Sequence, residues 1–268
     1  ADGTITGAQS GVLAQFGAVL VDNAGTIRGD GLTGVAIQQP NSSIDNSGSI
    51  SGATFGILTQ AFFNPETQAS EALAIGTTVE NSGSIIGEGN DAIRLVGGGT
   101  VVNSGTIEGL VNGAADGVST FAFDGQDIAT PEAIGTVINL EGGTISGFRA
   151  AVAHSSGGVV ENAGTMTGGT FAVLIQNGSE TLVDARVANS GAMTGGEAGV
   201  LVFGDIEAAD IVNSGTITAT SGAGIHHNAS GLMTISNEAA GTIEGAKTGI
   251  WVSGSGPLDL TNAGTIRG

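Results

Sequence analysis

The sequence has no cysteine and no tyrosine, one tryptophan at Trp251, four prolines, and six basic residues against 25 acidic ones. Without cysteine there are no disulfide staples, so stability has to come from packing and hydrogen bonding. The shortage of lysine and arginine leaves a net charge of −19. A field of that sign repels nucleic acid and anionic membrane surfaces, so neither is expected as a partner. No segment approaches the ~18 consecutive apolar residues of a membrane-spanning helix, so no transmembrane segment is expected. The N-terminus lacks the basic-then-apolar order of a secretion signal, and an exported chain would already have lost one.

What the chain has in quantity is glycine, 49 residues in 268, without the three-residue period of collagen. The glycines fall in a repeating five-residue pattern, N-[SA]-G-[TSA]-[IM]. Copies begin at Asn23, Asn46, Asn81, Asn103, Asn162, Asn189, Asn213 and Asn262, and those at Asn139 and Asn237 carry two extra residues before the glycine. Ala1–Ile5 is a degenerate further copy. Most repeats are 21 to 27 residues apart, and the steps from Gly48 to Gly83 and from Gly105 to Gly143 are longer. Such a period with two long exceptions predicts one solenoid domain over residues 1–268, with loop insertions at about 61–72 and 120–133.

Each period holds three short apolar alternations. One column runs Ile5, Ile27, Ile50, Ile85, Ile107, Ile145, Met166, Met193, Ile217, Ile243 and Ile266. A second holds Val12, Val35, Ile57, Ile93, Val118, Val152, Val173, Val200, Ile225 and Ile250. A third, just before each asparagine, runs from Val21 and Ile44 to Ile235 and Leu260. Period-two alternation in short β-branched segments is strand chemistry. Three strands per turn make a triangular coil, so the fold class is all-β, a right-handed parallel β-helix of about ten coils. Stacking at about 4.8 Å per step gives a rise of roughly 48 Å. The asparagine follows an inward β-branched residue by two positions, which turns its amide toward the interior at a corner. Asn23, Asn46, Asn81, Asn103, Asn139, Asn162, Asn189, Asn213, Asn237 and Asn262 are therefore expected to form a structural ladder, the stacked amides bonding one another or capping the corner backbone. The following glycine reads as a residue chosen for unusual backbone angles.

Both insertions interrupt the corner between the second and third strands. They are rich in phenylalanine, and Phe62, Phe63, Phe121 and Phe123 are expected to form a hydrophobic cluster over that corner, with partner binding as the alternative.

Chemistry is sparse. His154, His226 and His227 have no metal-ligand spacing and read as strand residues. There is no nucleophile triad, no phosphate loop, and no pair of carboxylates with aromatic platforms of the kind that cleaves glycans. No enzymatic activity and no catalytic residue are expected. Ile86–Arg94 resembles a single calcium-binding nonapeptide with Ile86 in place of its first glycine; it reads as an acidic turn, so calcium is only weakly indicated and no other cofactor is. Thr-x-Thr pairs and near equivalents (Thr4 and Thr6, Ser49 and Ser51, Thr144 and Ser146, Thr165 and Thr167, Thr216 and Thr218) resemble the outward hydroxyl array of ice-binding solenoids. Threonine's strand preference explains them without ice.

The recurring N-S-G-T-I-x-G, as at Asn103–Gly109, resembles the repeats of right-handed parallel β-helix passengers in bacterial autotransporters and related surface adhesins. The resemblance covers essentially the whole chain. It implies an extracellular or cell-surface location and a structural or adhesive role, with surface polysaccharide or other cells as partners. The open end coils, carrying Ile5 and Val12 at one end and Leu260 and Ile266 at the other, lead to the expectation of head-to-tail self-association into a filament. The alternatives are a piece of a longer adhesive passenger and an ice- or polysaccharide-binding solenoid.

Overall fold

A computed structural model of the chain describes residues 3–60, 62–64, 69–71, 75–111, 113–121, 134–177 and 182–268. Every regular element among them is a strand. The strands form three parallel sheets that share one axis, each strand pairing with its equivalent one coil on. The first sheet has eleven strands, from Thr4–Gly7 to Thr265–Arg267. The second has ten, from Ser10–Ala14 to Thr248–Val252, and the third has ten, from Leu20–Asn23 to Leu258–Asn262.

The register follows the repeat residue by residue. Ile85 pairs with Ile50 and Ile107 in the first sheet, Val35 with Ile57 in the second, and Val79 with Ile44 and Val101 in the third. A strand with alternate β-branched residues turns all of them to one face. Here that face is the interior, where the three columns merge into one continuous core. Away from the ends these side chains are fully buried, and each contributes on the order of 2 kcal/mol by leaving water. Neighbouring coils satisfy each other's backbone amides, which is why a chain with little aromatic content and no cross-links can hold this shape.

Both insertions leave from the corner between the second and third sheets. In the first, Phe62–Asn64 and Ala69–Glu71 pair as an antiparallel ribbon. The second starts later than the sequence pattern suggests: Thr120 and Phe121 still belong to strand Val118–Phe121, held by pairing with Leu95 and Val96. Between these coils, Gly97, Gly98 and Gly99 turn the same corner with positive φ of 97°, 70° and 139°. Side-chain-bearing residues avoid such angles.

The glycine after each corner asparagine has a different reason from the one expected. None of Gly25, Gly48, Gly83, Gly105, Gly164, Gly191 and Gly215 has a positive φ. A Cβ on Gly48 would lie 2.1 Å from the carbonyl oxygen of Gly25, and one on Gly105 2.1 Å from that of Gly83. Glycine is required there by the close stacking of one coil's backbone on the next.

Candidate functional site

The corner asparagines form the ladder that their spacing predicts. Nδ2 of Asn81 donates to Oδ1 of Asn103 at 2.8 Å, with the carbonyls of Gly83 and Thr106 at 3.3 and 3.1 Å. The same arrangement recurs from Asn23 to Asn237. Asn139 and Asn237 keep their places despite the two extra residues, because Gly143 and Gly241 close a tight turn back onto Leu140 and Glu238. These amides are consumed by the fold and offer nothing to a ligand.

A second polar group lies where the first sheet turns into the second, and it is buried. Asp91 and Asp116, one coil apart, are 0% and 1% exposed. Asp91 accepts the backbone N–H of Asp116 at 2.9 Å, Nε of Arg94 at 2.7 Å and the Ser119 hydroxyl. Asp116 accepts the N–H of Ala150 at 3.1 Å and both arms of Arg149. Burial pushes the Asp116 carboxyl up to about 6, reinforced by Asp91 and opposed by Arg149. The Arg94 guanidinium lies over the rings of Phe55 and Phe121, at 4.7 and 5.4 Å. The nonapeptide-like stretch therefore spends its central carboxylate on an arginine, a hydroxyl and a backbone amide. Among the described residues no three histidine, aspartate or glutamate side chains gather as a metal site would require. Phe121 packs on Arg94. The side chains of Phe62 and Phe63, and all of Phe123, lie outside the described residues.

The histidines are strand residues. His154 is fully buried with Nδ1 2.6 Å from the Thr120 hydroxyl, and burial lowers its pKa to about 4. His227 is buried on the inner face, whereas His226 points outward and stacks on Trp251 with ring centroids 4.0 Å apart.

That stack borders a groove of about 540 Å³ on the outer face of the second sheet. Its floor is made of Ala198 and Ala223, with Leu201 beside them. Phe171 stands at one end and Trp251 at the other, and Glu197 and Lys247 sit on the rim. A signal for it exists in the repeat: Leu201, His226 and Trp251 each follow a residue of the second inward column. The hydroxyl array on the first sheet is crossed by ion pairs, Arg28 to Glu88 at 2.9 Å and Arg267 to Glu244 at 2.6 Å. At the ends, Ile5 and Leu260 are 48% and 42% exposed, and Val12 and Ile266 are partly buried against the core.

Three parallel sheets, one coil repeat and an asparagine corner ladder define a parallel β-solenoid. Comparison with known protein families, with curated proteins and with solved structures finds no match.

Proposed function

We propose that this chain is a non-enzymatic, extracellular structural rod that joins end to end with copies of itself. The observation that carries the reading is the uniform stacking of the coils: in all three sheets each strand pairs in parallel with its equivalent one coil on, so the edge of a coil in one copy is one that a coil of another copy can extend. A heterologous contact of this kind propagates into a filament. The net charge of −19 discourages side-by-side clumping. The resemblance to autotransporter passengers supports the extracellular setting.

Light scattering and electron microscopy of the purified chain test the reading. We expect rods that lengthen with concentration, and the double substitution Ile5→Lys with Ile266→Lys should leave single rods of unchanged circular dichroism. A wild-type chain that stays monomeric at high concentration overturns the proposal.

A further inference from the structure

The outer face of the second sheet is mostly occupied by side chains that cover one another. Ala150, Ala153 and Leu174 are buried there, with Phe171 and Leu201 packed against them. Beyond Phe171 the covering thins. Register places Phe171, Ala198, Ala223 and Thr248 on consecutive levels, and the two alanines in the middle leave a notch. The residues just before them on the turn are Glu197, Gly222 and Lys247, again one per level. Gly222 has no side chain to fill the gap, and a Cβ there would lie 2.1 Å from the Glu197 carbonyl oxygen. The other wall is the column Leu201, His226 and Trp251.

The walls have complementary chemistry. On one side the rings of His226 and Trp251 stack nearly parallel, 11° between planes, and the imidazole is fixed by a 2.7 Å hydrogen bond between Nε2 and the Ser253 hydroxyl. On the other side stand a carboxylate and an ammonium, both exposed and neither in an ion pair among the described residues. They are two coil steps apart, about 10 Å, too far to neutralise one another by contact. One charge of each sign makes the rim locally neutral on a molecule that is otherwise strongly acidic. Fixed rings, an apolar floor and a few convergent polar groups are what a small-ligand site is made of, and the volume falls in the usual range.

We propose that this groove binds a neutral glycan, with pyranose rings laid along the solenoid axis between Phe171 and Trp251. A pyranose has an apolar C–H face to set against the Ala198 and Ala223 floor, flanked by Leu201 and the ring edges of the His226–Trp251 stack, and hydroxyls at its own edge. Those hydroxyls can donate to the Glu197 carboxylate and accept from the Lys247 ammonium. The three coil steps from Phe171 to Thr248 span roughly 14 Å, room for a short run of rings. An acidic polymer is disfavoured by the net charge. A peptide added as a strand is disfavoured too, since the floor belongs to a sheet whose strands are already paired on both sides and offers no free backbone groups. The proposal stands independently of end-to-end association.

Trp251 is the only tryptophan in the chain, so its emission reports on this groove alone. The full chain should be titrated with cellohexaose, xylohexaose, maltohexaose and, as a charged control, tetragalacturonate, following Trp251 fluorescence and the heat of binding. The expected result is a saturable change with at least one neutral oligosaccharide and a weaker or absent one with the galacturonate. Glu197→Gln and Lys247→Met, both on exposed side chains, should each weaken binding by roughly tenfold through loss of a charged hydrogen bond. Ala223→Leu, which fills the notch from outside the core, should abolish binding while circular dichroism stays unchanged. No response to any of the three neutral sugars up to millimolar concentration overturns the proposal. So does equal binding of the galacturonate, or unchanged binding by the Lys247→Met and Glu197→Gln variants.

Discussion

Asn103 sits mid-ladder, fully buried, with its amide donating to Asn139 and receiving from Asn81. Replacing it by alanine strands the Asn139 oxygen and the Thr144 carbonyl and takes one acceptor from Asn81. A loss of about 3 kcal/mol is expected, read as a lower urea midpoint. Asn262→Ala, at an exposed position with a single bond to Gly264 and one incoming from Asn237, should cost far less. His154 and Asp116 give the protein two opposed responses to acid. The His154 pKa falls from 6.5 to about 4 on folding. Its contribution is therefore intact above 6.5 and lost as pH falls toward 4, up to about 3 kcal/mol. The Asp116 carboxyl is raised from 3.8 to about 6. Its contribution is intact below 3.8 and lost as pH rises through 6, so the two slopes oppose each other in the shared window. Melting temperatures measured between pH 7 and 4.5 should fall more steeply in Asp116→Asn than in the parent, and less steeply in His154→Leu.

At the scale of the strand, alternation in β-branched residues was enough to read all three inward columns, because a period of two has only one way to bury a face. The asparagine corner was legible for the same reason. The glycine beside it was legible as a glycine but not in its purpose, since the constraint comes from the coil above and not from local angles. Asp91 and Asp116 precede Ile93 and Val118 by two residues each, so the alignment of repeats contains them as a pair. Their burial could not be read there. It depends on Arg94, three residues away, and on Arg149, 33 residues and a whole coil away. The groove was hidden differently: an outward Trp251 or His226 looks solvated until the small Ala198 and Ala223 are seen to leave space beside the rings.

For the whole molecule, the ladder has a consequence for how its length is set. Every rung is the same amide making the same bonds, so the ladder distinguishes a shift of one residue from correct register but cannot distinguish one coil from the next. It works as a ruler graduated only in whole turns. Removing the segment Ser190–Asn213, a span of 24 residues, would bring Asn189 up to Ser214 and set Phe171–Asn177 against Ala223–Ala229, strands of equal length. The shortened chain should fold to a rod one step shorter, about 4.8 Å, with an unchanged strand signature by circular dichroism. Deleting Ile211 alone should unfold several coils, since it turns every side chain upstream in that strand to the wrong face. A chain built on such a ruler can be lengthened or cut back in units of a turn, and its span is then a matter of arithmetic in its sequence and not of redesigning its core.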